Sequence, residues 1–182
     1  SRIGNWAFLL TGGLALVIAV LAGPIVRSEL GIAPGFTPEL QTLVVSLMRL
    51  NLIATLIFSL SGLVMAGLQS NQHFLLPAMA PVLYDLGQIF GALVLAPMES
   101  IVIGPLRLPA AGMGVHGLVI GVILGACLHL AIQIPGLLRY RFRWFPRLGV
   151  RDPGLQQVMR LLGPRILTIG AFNLIFIVQD NL

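Results

Sequence analysis

The sequence predicts an all-α, polytopic transmembrane helix bundle. Only 9% of its 182 residues are charged and 57% are hydrophobic, with a mean hydropathy of +0.98. Soluble domains carry about 25% charged residues. Five stretches are apolar over the roughly 20 residues that a helix needs to cross a bilayer. The eleven basic residues are all arginine, and several crowd beside one helix end. That pattern carries topology, whereas a nucleic-acid surface would interleave basic and aromatic residues over a solvated face.

The first span is read over Trp6–Val26, with no charge inside it. Gly31–Pro38 (GIAPGFTP) is a turn-rich link. Thr37-Pro38-Glu39 reads as an N-cap, a proline at the first helical position and an acid in the first turn. The second span follows over Leu40–Leu68 and contains Arg49. The third, Phe74–Ala96, contains Asp85, and Pro97–Gly112 reads as a Pro- and Gly-rich loop. The fourth, Met113–Leu138, carries His116 and His129. Asp152-Pro153 opens an amphipathic lead-in whose Leu155, Val158, Met159 and Leu162 recur at helical spacing, as at a membrane interface. A fifth span begins near Leu161 and reaches Leu182, so the chain reads as cut within or at the end of a helix. Two regions are expected: residues 1–152, four helices and a basic link, and residues 153–182, the lead-in and the first helix of a second lobe.

Arg139, Arg141, Arg143, Arg147 and Arg151 follow the fourth span, among Tyr140, Trp144 and Phe145. Arginines next to a helix end, with interfacial aromatics, mark the cytoplasmic side. They also suit contact with anionic membrane lipids. Alternation then places the N-terminus of the chain and the Gln69–His73 loop inside, and the Arg27–Glu39 and Pro97–Gly112 links outside.

Glycines at Gly87/Gly91 and Gly117/Gly121/Gly125 repeat every four residues, the spacing that lets helices approach closely. Cys127 is the single cysteine, which excludes an internal disulfide and a cysteine metal cluster. The three histidines lack metal-ligand spacing, so no metal site is expected. No nucleophile–base set or phosphate loop appears, so no catalytic residues and no enzyme activity are expected. His116 and His129 read mainly as hydrogen-bonded packing residues, with a proton relay as the rival role.

The intramembrane charges mark a candidate substrate pathway. Arg49 lies eleven residues into its helix from Pro38, and Asp85 eleven residues from Phe74 on the next. Each is therefore about 16 Å along, near the bilayer centre, where the two could meet. Pro77, Pro81, Asp85 and Gln88 share a face. Arg49, Asp85 and Gln88 either line a water-filled pathway or only fix helix register through a buried ion pair. Asn173, Gln179 and Asp180 form a second polar set that could serve as a cation site or as helix-packing groups. Arg165 is read as reaching the cytoplasmic interface.

The run SGLVMAGLQSNQHFLLPAMAPVLYDLGQIFGAL resembles the MurJ/MviN lipid II flippases of bacteria. So do IAPGF, LMRL around Arg49, GVHGLVIGVILGACLHLAIQIPGLL and LLGPRIL, in that order and over nearly the whole chain. The resemblance implies a fourteen-helix transporter of the multidrug/oligosaccharidyl-lipid/polysaccharide exporter superfamily. Its two lobes rock about a cationic cavity, and this chain looks like its third to seventh helices. The cargo implied is an undecaprenyl-linked peptidoglycan precursor, moved between leaflets of the bacterial inner membrane by alternating access. No cofactor is implied, beyond coupling to membrane potential or a monovalent cation. The partners implied are that lipid, membrane lipids and the remaining helices of the transporter. The arginines that the family ties to pyrophosphate binding lie on helices outside this chain. At Asp85 the family usually carries Asn, and an ungapped match sets Gln179, rather than Asp180, at a sodium-linked position. Rival readings are an exporter of another lipid-linked oligosaccharide or of drugs, and a non-transporting membrane scaffold.

Overall fold

The computed structural model describes residues 2–28 and 35–139, together with Arg160, Pro164, Leu167 and Thr168. The stretch Ala7–Arg143 forms one compact unit, and the architecture below is that of its described residues. They fold as α1 (Arg2–Arg27), α2 (Pro38–Ser70), α3 (Leu75–Phe90) with a π-helical turn (Gly91–Leu95), strands β1 (Ile101–Ile103) and β2 (Leu106–Leu108), α4 (Val115–Ala131) and α5 (Ile134–Arg139). Four helical segments are long and apolar enough to span a membrane: Asn5–Arg27, Pro38–Ser70, Leu75–Leu95 and Val115–Arg139. The expected fifth span lies almost wholly outside the described residues.

Helix ends follow local chemistry. The Thr37 hydroxyl accepts from the Leu40 backbone N–H at 3.4 Å, and Pro38 takes the first helical position. Both satisfy or remove orphan donors of the first turn. The fourth span is broken where sequence reading expects one helix. Pro135 has no N–H to give the Ala131 carbonyl. The chain therefore tightens, with Gln133 N–H bonding Leu130 O at 3.1 Å, and restarts as α5.

The centre of the bundle is the α3–α4 seam, where glycines let two backbones touch. A Cβ on Gly121 would sit 2.6 Å from Gly91 Cα, and one on Gly117 2.5 Å from the Leu95 carbonyl carbon. One on Gly125 would sit 2.5 Å from Tyr84 O, and one on Gly87 would clash with the Gly125 backbone. Between helices in lipid, such close van der Waals packing replaces the hydrophobic effect as the adhesive force. The α3–α4 pair is thus antiparallel in a fixed register.

The second helix runs parallel to α4. Ser61 meets His129, 68 residues on, and Leu68 packs on Gly136 at the same interval. By contrast, α1 lies antiparallel to α2 and is held mainly by side chains. Ala22, Val26 and Val45 form a small buried cluster, flanked by Val44 and Met48.

The expected Pro97–Gly112 loop contains a β-hairpin. Ile101 pairs with Leu108, Val102 with Arg107 and Ile103 with Leu106, around Gly104 at φ +59°. The returning strand then caps the end of α3. Ala111, Gly112, Met113 and Gly114 N–H groups donate to Val94, Pro97, Leu95 and Ala96 carbonyls at 2.8 to 3.0 Å. Those carbonyls would otherwise be orphans of a helix C-terminus. The close zipper requires positive φ at Gly112 (+70°) and Gly114 (+56°), which favours glycine.

Candidate functional site

Three polar features are built into this apolar bundle. The first is the outer face of α3. Its 21-residue helical span, Leu75–Leu95, is about 31 Å long, the thickness of the hydrocarbon layer. Asp85 is ten residues from Leu95, so its carboxylate lies about 15 Å inside that layer. It is exposed, on the side of α3 away from the glycine seam, and makes no hydrogen bond or ion pair with any described residue. Pro81, one turn before it, is also exposed, and Gln88 is half-buried. A carboxylate at this depth faces a cavity or a partner rather than lipid.

The second feature is a buried cluster joining α2 to α4. Ser61 Oγ lies 2.7 Å from His129 Nδ1, and Gln133 Nε2 lies 2.7 Å from Ser61 Oγ and 2.9 Å from the His129 carbonyl. Ser61 and Gln133 are fully buried. The consistent assignment is that Gln133 donates to Ser61, and Ser61 donates to an unprotonated His129 Nδ1. Phe58 covers the imidazole edge-on at 5.2 Å and meets Tyr84 of α3 at 4.8 Å. This arrangement fastens α2, α3 and α4 together at one level. Sequence reading places His129 as a hydrogen-bonded packing residue, which is the position it takes. Sequence reading missed Gln133 and Ser61; the spacing of Gln133 one turn after His129 is the available signal, and the partnership with Ser61 depends on the helix register.

The third feature is a cleft of ≈ 420 Å³ between α1 and α2, lined by Gly23, Arg27, Thr42, Val45, Ser46, Arg49 and Leu50. Arg49 Nε donates to the Ala19 carbonyl at 3.0 Å, and Arg27 Nη2 donates to Thr42 Oγ1 at 3.4 Å. Pro24 weakens α1 here, since it leaves the Val20 carbonyl without its helical donor. Thr42, Ser46 and Arg49 recur at steps of four and three along one face of α2, and sequence reading singled out only Arg49 of the three.

The registers set the depth of this cleft. Arg49 of α2 is level with Gly117 of α4, by the 68-residue interval of the parallel pair, and Gly117 packs on Leu95. Arg49 thus lies about 15 Å along the bundle from the level of Asp85. The structure does not bring the two together. The expectation of equal depth assumed that both helices start at the membrane surface. At 33 residues α2 is about 50 Å long, so a count from its first residue does not set the level of Arg49.

Of the basic loop, Arg139 is described and is exposed at the end of α5. Arg141, Arg143, Arg147, Arg151, Arg165, Asn173, Gln179 and Asp180 lie outside the described residues. Among the described residues no group of histidine, cysteine and acid side chains is placed to hold a metal ion.

These features define a multi-pass membrane protein with an intramembrane acid and close-packed helices. A family model described as lipid II flippase MurJ matches residues 3–182. The chain belongs to the MurJ lipid II flippase family. It is 27% identical to a probable lipid II flippase MurJ of Buchnera aphidicola over 98% of its length, and covers 32% of that protein. It is 28% identical to the lipid II flippase MurJ of Burkholderia cenocepacia over 77% of its length, covering 26% of that relative. The chain thus spans at most a third of the length of these relatives.

Proposed function

We propose that this chain is part of a flippase that moves undecaprenyl-linked peptidoglycan precursor from the inner to the outer leaflet of the bacterial inner membrane. The observation that carries this reading is the family match across residues 3–182, in a chain with four described helical segments of membrane-spanning length. Flipping makes and breaks no covalent bond, so the residues needed are ones that bind, admit water and move. Alternating access fits the uneven fastening of the helices. α2, α3 and α4 are pinned by the glycine seam and the Ser61–His129–Gln133 cluster, while α1 is attached through a few side chains. In this reading Asp85 and Gln88 line the aqueous side of the lobe wall. The arginines after α5 hold the N-terminus of the chain on the cytoplasmic side. Membrane potential or a monovalent cation supplies the drive.

The experiment is replacement of a resident flippase by the intact protein that carries these residues. Restored growth, with no accumulation of lipid-linked precursor, is the expected result. Precursor that accumulates although the protein is inserted would overturn the assignment. Export of a different lipid-linked oligosaccharide under the same conditions would transfer it to that cargo.

A further inference from the structure

We propose that α1 carries a hinge at the turn Val20–Pro24, and that Arg49 of α2 is the brace that holds it shut. The inference rests on the geometry of α1 and α2 and holds whichever cargo the protein moves. Pro24 has no N–H for the Val20 carbonyl. Gly23, beside it, adds backbone freedom. Proline and glycine are the usual causes of a sharp helix bend. A Cβ on Gly23 would meet nothing within 4 Å, so the space beside the turn is open for movement.

The two sides of the turn are held differently. At and beyond it, Ala22 and Val26 are fully buried in a cluster with Val45. Arg27 Nη2 also donates to Thr42 Oγ1 at 3.4 Å. This end of α1 is anchored to α2. The other side, Ala7–Ala19, meets α2 through small groups. Ala15 is buried, and even a Cβ added at Gly12 would stay 3.9 Å from Leu56 Cδ2. Such groups make few dispersion contacts, and between helices in lipid dispersion is a main source of adhesion.

Among the described residues one hydrogen bond ties this arm to another helix, from Arg49 Nε to the Ala19 carbonyl at 3.0 Å. Its donor is charged, which makes it stronger than a neutral bond. Its position matters as much. Ala19 immediately precedes the carbonyl that Pro24 leaves unsupported, so Arg49 grips α1 where its own ladder is broken. Arg49 thereby supplies from α2 the restraint that the proline removes from α1. The arm is about 18 Å long, so a bend of about 20° would carry its far end about 6 Å away from α2. That movement would widen the cleft of ≈ 420 Å³ that Arg49 now spans.

The test measures distances between spin labels on the intact protein in lipid nanodiscs, with native cysteines replaced, Cys127→Ala included. Leu10→Cys with Ile53→Cys reports the arm. Ser28→Cys with Ile53→Cys reports the anchored end against the same point of α2. Arg49→Gln should raise the ratio of separated to closed arm by about tenfold or more and leave the Ser28 distance unchanged. Arg49→Lys, which keeps a charged donor, should raise it less. Adding Pro24→Ala to Arg49→Gln restores the missing N–H and should return the arm toward its closed distance. Pro24→Ala alone, which leaves the brace untouched, should narrow the Leu10–Ile53 distribution. An arm distance indifferent to Arg49→Gln overturns the proposal. So does an equal shift of both label pairs, which would mean general loosening, and so does a Leu10–Ile53 width unchanged by Pro24→Ala.

Discussion

Gly121→Ala is the perturbation that best probes why this bundle holds together. The added methyl would lie 2.6 Å from Gly91 Cα, 3.1 Å from Gly91 N and 3.1 Å from Gly87 O. Ordinary carbon contacts sit at about 3.5–4.0 Å, and every obstructing atom is backbone, so no side chain can swing aside. The helices must part by about 1 Å, and Gly117 and Gly125, on the same face, lose contact with them. Overpacking of this kind costs about 1–3 kcal/mol. Alanine also favours helix over glycine by about 1 kcal/mol wherever it is placed. Gly62→Ala on α2 isolates that gain, because its Cβ would meet nothing within 4 Å. The difference between the two variants is therefore expected to be about 1–3 kcal/mol. In thermal unfolding in lipid-like bicelles this separates their midpoints by roughly 2–4 °C per kcal/mol. Gly121→Ala unfolding at or above the midpoint of Gly62→Ala would refute the seam as the adhesive contact.

Two further outcomes follow from the polar groups. Ser61→Ala removes an acceptor from Gln133 and a donor from His129 in a fully buried site, and should destabilise by about 1–3 kcal/mol. Adding His129→Leu and Gln133→Leu should recover part of that loss in the same unfolding assay; no recovery would mean the cluster is not the source. In a Cys127→Ala background, Asp85→Cys should react with a water-soluble thiol reagent in the intact protein. The neighbouring Leu86→Cys is the control, and equal protection of both would remove the aqueous face from the account.

Much of this architecture is legible in the sequence, for identifiable reasons. Hydropathy marks the spans because lipid forbids unpaired backbone. Thr37-Pro38-Glu39 marks the start of α2 because its cap is local. The four-residue glycine steps announce the α3–α4 seam. What the sequence hides is register. Arg49 and Asp85 are equally far into their own helices, and only the pairing of Ser61 with His129 and of Gly117 with Leu95 reveals that they lie at different depths. The hairpin is hidden for another reason. Its strands are three residues each, too short for an alternating pattern, and Gly104-Pro105 between them reads as a plain loop. Arg27 was legible only as a topology marker. Its place in a cleft with Arg49 depends on the antiparallel fit of α1 to α2.

The proposed transport of lipid-linked precursor by the intact protein is tested most directly by measuring, in cells that depend on this protein, the fraction of that precursor open to a membrane-impermeant reagent on the outer face. That fraction should fall within minutes of inactivating the protein, while total precursor rises. An unchanged outer-leaflet fraction after inactivation would contradict it.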